Sequence, residues 1–262
     1  MKELRRKLLI SGICILFLAS LSFSQVELTL FGKYNVNLSF PDTGTIHPDV
    51  AAVSWTEWWE PVFGPILEQK NGFGFGARIS FNPVPTIGIE GSFEYILGGF
   101  ELSADVMADL EEGTEGAGYG PYLTTNNSGG NILRYYGNIV FNIPTPGGVY
   151  PYITAGLGIT QFNVKKGTGP DIYYDVPSWG ALADVQYDNI SALTFNAGGG
   201  IKFLFSKTAG LRADVRVFYC KPEFEESLHF KIFGVTAFND VAFTQTGGLT
   251  DTSINLGVFF KF

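Results

Sequence analysis

Residues 192–220 read ALTFNAGGGIKFLFSKTAGLRADVRVFYC, and this stretch decides the fold. In its first half apolar residues occupy every second position, and polar residues such as Lys202 stand between them. After a short break the alternation resumes, with Asp214 among the polar positions. A period of two is typical of a β-strand whose two faces differ. The stretch therefore predicts two strands, 192–205 and 210–220, joined by a tight turn.

The same alternation occurs in eight runs along the chain. None of the residues on their apolar faces is charged, whereas the opposite faces carry charges of both signs. The runs are 26–40, 71–81, 87–97, 131–143, 149–164, 192–205, 210–220 and 252–262. The charged residues on the opposite faces are Lys33, Arg78, Arg134, Lys202, Arg212, Arg216 and Lys261, with Glu27, Glu90, Glu94 and Asp214. A charge on the lipid side of a membrane barrel costs about 2–4 kcal/mol at mid-bilayer, so a lipid-facing surface explains why the apolar faces carry none.

Connector lengths separate a membrane barrel from a soluble sandwich or lipocalin-like barrel, in which the apolar face is buried. Long and short connectors alternate, the long ones at 41–70, 98–130, 165–191 and 221–251 and the short ones at 82–86, 144–148 and 206–209. Long outer loops and short periplasmic turns are typical of outer-membrane barrels, and Phe and Tyr near both strand ends fit their two aromatic girdles. We therefore expect an all-β fold, an eight-stranded antiparallel up-and-down transmembrane β-barrel with four long outer loops and short periplasmic turns.

The first residues predict an export signal. A basic start is followed by the apolar run LLISGICILFL and then by the small residues of SFS. The run is shorter than the ~20 residues that a membrane-spanning helix needs. We expect a signal peptide over 1–24 and an outer-membrane barrel domain over 25–262. Cleavage would remove Cys14 and leave only Cys220, so we expect no intrachain disulfide.

The composition excludes two other classes. The chain has 262 residues, of which 45% are hydrophobic and 16% charged, so it does not resemble a disordered protein. Its net charge of −8 argues against a nucleic-acid partner, because phosphate binding needs a basic stripe. Neither the cysteine content nor any acidic stretch has metal-ligand spacing, so we expect no metal or cofactor.

Eight strands enclose an interior just wide enough for side chains. We expect the charged faces to fill it as a structural ion-pair network, since buried charges are costly unless they are paired. This predicted network consists of Arg78, Glu90, Glu94, Arg134, Lys202, Arg212, Asp214 and Arg216. In it, Glu90, Glu94 and Asp214 are expected to pair with the four arginines. The alternative is a gated ion path through the same residues.

Three segments resemble the OmpA/OmpX-like family of small outer-membrane β-barrels. They are YPYITAGLGITQF at 150–162, NAGGGIKFLFSKTAGLRADVRVF at 196–218 and the terminal INLGVFFKF. The resemblance implies a porin-like barrel in a Gram-negative-type outer membrane, among lipid and lipopolysaccharide. It also implies insertion by the outer-membrane assembly machinery through the C-terminal strand ending at Phe262. The chain lacks the peptidoglycan-binding domain of the two-domain members, so we do not expect a cell-wall tether, and we expect a monomer.

Three roles fit such a barrel. The default is a structural or surface-interaction role, and the alternative is a narrow pore or a path for small apolar solutes. A lipid-modifying enzyme is disfavoured, because only His47 and His229 are available and both lie in predicted outer loops. Ser227 and Glu226 stand near His229, but this spacing is not diagnostic of a catalytic set. We therefore expect the protein not to be an enzyme.

The outer loops contain two further features. Trp55, Trp58 and Trp59 cluster in the first long loop, where exposed aromatic residues predict an interaction patch or an interfacial anchor. In the second long loop, the acidic stretch 101–115 has apolar residues at helical spacing, and Ser103 is a candidate helix cap. The simplest interpretation of that stretch is a solvated face.

Overall fold

The computed structural model describes residues 25–39, 43–46, 67–102, 121–127, 129–164, 169–176, 179–187, 189–232 and 235–262. Within these ranges, no helix is long and apolar enough to cross a membrane. The described residues form sixteen β-strands in three sheets. The predicted signal peptide at 1–24, the three tryptophans of the first long loop and His47 lie outside the described residues.

Eight strands form a closed antiparallel barrel, in the order β1-β16-β13-β12-β9-β8-β5-β4. These strands are β1 (Gln25–Ser39), β4 (Gly72–Val84), β5 (Ile87–Leu97), β8 (Asn131–Asn142), β9 (Val149–Asn163), β12 (Ile190–Leu204), β13 (Ala209–Cys220) and β16 (Leu249–Lys261). The predicted eight-stranded barrel is confirmed, and its strands agree with the eight alternating runs to within a few residues. Pairing of β1 with both β4 and β16 closes the sheet, so the barrel has no open edge, as a lipid environment requires.

Short turns join the barrel strands at one end, and long connectors leave the other end, which we call the outer end. The turn between β8 and β9 contains Gly147 and Gly148 at φ of 99° and 81°. Residues with a side chain rarely adopt these positive φ values, so glycine is suited to both positions. Across the next hairpin, Ile201 pairs with Ala213 and Lys202 with Arg212, so the alternating faces of the two strands are in register.

The long connectors contain strands, where the sequence analysis expected loops. A six-stranded sheet has the order β2-β15-β14-β11-β10-β7, and β3 pairs separately with β6. These strands are β2 (Thr43–Ile46), β3 (Leu67–Gln69), β6 (Phe100–Leu102), β7 (Pro121–Asn127), β10 (Gly169–Val176), β11 (Trp179–Tyr187), β14 (Glu223–Ile232) and β15 (Val235–Thr246). Each outer strand directly precedes or follows one barrel strand in the chain, and the six-stranded sheet keeps the strand order of the barrel. The expected loops therefore include hairpins that extend the pairing pattern beyond the outer end.

The stretch 101–115, in which the apolar residues have helical spacing, begins as a strand where the chain is described. Glu101 and Leu102 belong to β6 and pair with Glu68 and Leu67 of β3. The remaining positions of that stretch, including Ser103, lie outside the described residues. Local helical spacing was a weak signal here, because the adjoining strands of the barrel continue their pairing into the connector.

The two faces of the barrel wall have opposite exposure. On β16, Leu256 is 65% exposed and the preceding Asn255 only 1%. On β4, Ile79 is 61% exposed, and Arg78 beside it is 1% exposed. The apolar residues therefore point away from the barrel, and the ionic residues fill it. A soluble barrel would have the reverse arrangement, so this outer surface is suited to hydrocarbon.

Candidate functional site in the barrel lumen

The polar faces of the eight strands place charged side chains inside the lumen. Six cations and five carboxylates there are at most 4% exposed. The cations are Lys33, Arg78, Arg134, Lys202, Arg212 and Arg216, and the carboxylates are Glu27, Glu90, Glu94, Asp214 and Asp251. All eight residues of the sequence-predicted network belong to this set. Their inward position follows from strand parity, because successive side chains of a strand point to opposite faces.

Glu90 of β5 accepts hydrogen bonds from two arginines of β13. Arg212 Nη1 lies 2.6 Å from Glu90 Oε2, and Arg216 Nη2 lies 2.7 Å from Oε1. Ser80 and Asn138 donate to the same carboxylate from the two strands beside β5, each at 3.1 Å. In the closed strand order, β5 and β13 are diametrically opposed. Glu90 therefore ties one wall of the barrel to the opposite wall with charge-assisted hydrogen bonds.

Asp214 forms the second centre of the network. Its Oδ2 accepts from Arg78 Nη1 at 2.6 Å and from the Tyr152 hydroxyl at 2.8 Å. Its Oδ1 accepts from Arg216 Nε at 3.0 Å and from Asn255 Nδ2 at 2.8 Å. The residue thus joins side chains of β4, β9, β13 and β16. A buried carboxylate with this many donors has its lone pairs satisfied, which offsets the cost of removing it from water.

A third set of ion pairs lies closer to the outer end. Lys33 Nζ is 2.5 Å from Glu94 Oε2, and the Tyr136 hydroxyl donates to Glu94 Oε1. Arg134 Nη2 is 2.6 Å from Asp251 Oδ2, whereas its distance to Glu94 is 3.9 Å. The sequence analysis placed Asp251 in the last long connector and so missed this partner. Strand β16 begins at Leu249, and this puts Asp251 on its lumen face.

The short-turn end of the lumen holds a separate pair. Lys202 Nζ lies 2.6 Å from Glu27 Oε2, and Lys261 Nζ lies 3.6 Å from Glu27 Oε1. The Lys261 side chain is 19% exposed, so this end of the network approaches the exterior. The structure thus brings Lys202 into contact with a carboxylate that the sequence-predicted site did not include.

Aromatic rings in the lumen cover the guanidinium groups. The Arg78 guanidinium carbon is 3.8 Å from the Phe31 ring centre, and that of Arg134 is 4.0 Å from Phe218. Arg212 lies 4.5 Å from the Tyr152 ring centre. Sequence reasoning missed these rings because it treated the inward faces as polar. Strand parity was the available signal, since Phe31, Tyr152 and Phe218 occupy positions of the polar face.

The outer part of the lumen is apolar. Eight buried residues form one cluster, which we call the apolar cap: Ile96, Phe100, Ile132, Phe162, Val164, Ala192, Cys220 and Leu249. Six of them stand within the first or last three residues of a barrel strand at its outer end. The Cys220 thiol is free and buried within this cluster. The sequence analysis expected charged side chains to fill the whole lumen. The structure shows instead an ionic section under an apolar cap.

The other sequence-predicted candidates lie outside the part of the chain whose side chains are described. The tryptophans at 55, 58 and 59 lie outside the described residues, so their patch stays a prediction. Ser227 and His229 are at register positions opposite Gln186 and Asp184, in the outer sheet. Their side chains lie outside the described part of the chain. Among the residues whose side chains are described, no group of three or more His, Cys, Asp or Glu has the spacing to hold a metal ion.

Comparison with known proteins identifies a family. The sequence profile described as "outer membrane protein beta-barrel domain" matches residues 10–262. A search of curated protein sequences finds no match. Among solved structures, OprG from Pseudomonas aeruginosa has a TM-score of 0.50 at 9% identity, covering 91% of this chain and 96% of that chain.

Two further solved structures are similar at lower scores. Neisserial surface protein A has a TM-score of 0.43 at 10% identity, with 91% of this chain and 97% of that chain covered. The outer-membrane protein AlkL, solved in DMPC bilayers, has a TM-score of 0.45 at 12% identity, with 91% and 90% covered. The profile match spans nearly the whole chain, and the barrel exposes its apolar side and encloses its ionic side. The chain therefore belongs to the outer-membrane β-barrel family and is an integral outer-membrane protein.

Proposed function

We propose that this protein is a plugged membrane anchor that holds its outer strands at the cell surface for contact with a partner. The observation that carries the proposal is the filled lumen. Ion pairs join opposite walls through Glu90 and Asp214, and the apolar cap covers them at the outer end. An eight-stranded barrel filled in this way supplies rigidity rather than a water-filled channel.

Single-channel recording on protein reconstituted in planar bilayers tests the plug. We expect no steady conductance, because an ion entering the lumen would have to displace buried salt bridges and cross the apolar cap. A reproducible open level in every active bilayer would contradict the proposal and favour the gated ion path. Protein heated before reconstitution is the control, because it separates barrel-dependent current from leakage.

The surface-interaction part of the proposal rests on the outer strands. β14 and β15 have 10 and 12 residues, so they reach roughly 30–40 Å along the strand direction. Pairing in the six-stranded sheet gives these connectors a defined scaffold. We propose that Trp55, Trp58 and Trp59 contribute to the contact surface. Vesicles that carry the triple Ala variant are compared with wild-type vesicles on a surface that the wild-type vesicles bind. The variant vesicles should not adhere, and unchanged adhesion would show that the tryptophans are not part of the contact surface.

Passage of small apolar solutes is the second candidate, and one observation favours it. The apolar cap places rings such as Phe162 and Phe100 at the outer mouth of the lumen, where an apolar solute would be accepted and an ion would not. Uptake of a small hydrocarbon by cells that express the protein, compared with cells lacking it, tests this role. Replacing Phe162 by Glu should abolish uptake if the cap is the entry point, whereas uptake independent of the protein would exclude the role.

We also propose the route by which the chain reaches its place. The segment 1–24 directs export and is removed, and the assembly machinery recognises the strand that ends at Phe262. Deleting Phe262 should lower the amount of protein in the outer-membrane fraction, and N-terminal sequencing of the mature protein should begin at Gln25.

We further propose that the protein acts as a non-enzymatic monomer in contact with lipid and lipopolysaccharide. Cells that express H229A should adhere to a surface as strongly as cells that express the wild type, because the proposed role needs no catalytic histidine.

A further inference from the structure

The described part of the lumen encloses one more positive charge than negative charges. Six cations and five carboxylates there are at most 4% exposed. Lys261 is a further cation, but its side chain is 19% exposed and approaches the exterior at the short-turn end. An unbalanced charge that the barrel wall and the surrounding lipid keep from water is costly. Neutrality therefore requires either a further negative charge in the lumen or the loss of one proton.

The excess charge lies with three arginines. Three of the five carboxylates have a cation of their own, at 2.5 Å for Lys33 and Glu94, 2.6 Å for Arg134 and Asp251, and 2.6 Å for Lys202 and Glu27. The other two, Glu90 and Asp214, are shared by Arg78, Arg212 and Arg216. Each of these three guanidinium groups lies within 4.0 Å of both carboxylates. Three positive charges thus surround two negative ones, and all five side chains are at most 1% exposed.

The loss of a proton does not remove this excess at the place where it arises. An arginine keeps its proton in proteins, whereas a buried lysine can lose it. Each enclosed lysine, however, lies against a carboxylate, Lys33 against Glu94 and Lys202 against Glu27. A neutral lysine would leave that carboxylate as an unpaired buried charge. The three arginines therefore require a negatively charged ligand.

The same three arginines have N–H groups that are not used in hydrogen bonds. Arg212 Nη2, Arg216 Nη1 and both Nε and Nη2 of Arg78 are buried and have no hydrogen-bond partner among the described residues. Glu94 Oε1 lies 3.5 Å from Arg78 Nη2 without the geometry of a hydrogen bond, and it accepts a hydrogen bond from the Tyr136 hydroxyl. Water would satisfy these donors, but it carries no charge and would leave the excess in place.

The geometry points to a binding site for one small monovalent anion of the halide type, such as chloride, at Arg78, Arg212 and Arg216. One negative charge balances the enclosed charges of the described lumen, whereas a divalent anion would reverse the excess. The ion would be enclosed as the barrel folds, because these three side chains are at most 1% exposed. It is a structural component of the plug and not a permeating ion, and its binding does not depend on the surface role proposed above.

The chloride dependence of stability tests this site. Wild-type protein is folded into phosphatidylcholine vesicles and unfolded with urea, while sodium chloride replaces sodium gluconate stepwise at constant ionic strength. The equilibrium constant of unfolding should fall as chloride rises, approaching about ten-fold for each ten-fold increase, which is the limit for one bound ion. R78M removes the excess charge together with unused donors, so its stability should not depend on chloride.

E27Q/K202M is the matched control. It removes one carboxylate and one cation near the short-turn end and keeps the excess of one positive charge, so it should retain the wild-type chloride dependence. Both variants must keep the faster gel mobility of the unheated barrel. Equal dependence in R78M and wild type would overturn the proposal, and so would loss of the dependence in E27Q/K202M.

Two measurements on the wild type decide the question even if R78M does not fold. The first is the chloride titration itself, in which an unchanged unfolding constant would overturn the proposal. The second is the anomalous scattering of crystals grown in sodium bromide, because bromide replaces chloride and can be located directly. We expect a bromide peak in contact with the three arginines, and a lumen without such a peak would overturn the assignment.

Discussion

Replacing Glu90 by Gln should destabilise the barrel by about 3 kcal/mol. Glu90 accepts hydrogen bonds from Arg212 at 2.6 Å and from Arg216 at 2.7 Å, and all three side chains are at most 1% exposed. Removing one partner of a buried ion pair costs roughly 3–5 kcal/mol, because it leaves an uncompensated charge. Asp214 remains 3.4 Å from Arg212 and 3.0 Å from Arg216, so the lower end of the range applies.

The free energy of unfolding is measured by urea titration of the protein folded into phosphatidylcholine vesicles, with gel mobility as the readout. Ser92→Ala is the matched control on the same strand and face, since it loses only a 3.4 Å hydrogen bond to Glu90 and should cost about 1 kcal/mol or less. Adding Arg216→Met to E90Q should restore part of the loss, because it removes one unpaired charge. A stability of E90Q within about 0.5 kcal/mol of wild type would refute the role of the cross-lumen pairs.

Three other predictions concern glycines of the barrel and the free cysteine. Gly76→Ala should lower the free energy of unfolding by about 1–3 kcal/mol, because the added Cβ would overlap the Phe31 ring. Gly32→Ala is the control and should be neutral, since nothing lies within 4 Å of its added Cβ; equal unfolding free energies of the two variants would contradict this. Gly147→Ala should cost about 1 kcal/mol through its φ of 99° alone, and unchanged urea midpoints would argue against it. Cys220, buried in the apolar cap, should react with a maleimide only after unfolding, and rapid labelling of the folded barrel would show that the cap is open.

The barrel could be predicted from the sequence because its strands carry a simple physical signal. A wall between lipid and a packed lumen forces every second residue to be apolar, so the runs around Ile153, Val215 and Leu256 were recognisable without any long-range information. All three are outward-facing and 48–65% exposed. Closure also followed, because eight alternating runs in lipid leave no tolerable open edge.

The partners within the lumen were less predictable, since they depend on strand stagger and tilt. Nothing local indicates that Arg134 reaches Asp251 across the barrel, 117 positions along the chain, rather than Glu94 opposite it on the neighbouring strand. The apolar cap was missed for a different reason. Ile132 has the inward parity of a predicted run whose inward face the sequence analysis treated as polar, and Leu249 stood in an expected connector.

The outer strands were missed because their alternation is weaker and interrupted. β14 and β15 pair with register shifts near Phe230, and β7 and β10 shift between Pro170 and Ile172. Such irregularities break the period of two that identified the barrel strands. Their pairing depends instead on the neighbouring barrel strands, which bring the connector ends together in the same order.

The most direct test of the account is the orientation of the barrel wall in a lipid bilayer. Nitroxide labels at four successive positions of β16, introduced as Ser253→Cys, Ile254→Cys, Asn255→Cys and Leu256→Cys, report contact with oxygen dissolved in the hydrocarbon. Ile254 and Leu256 are 54% and 65% exposed, and Ser253 and Asn255 at most 1%. We predict high oxygen collision rates at 254 and 256 and low rates at 253 and 255. Low rates at 254 and 256 with high rates at 253 and 255 would place the ionic side outward and contradict the assignment.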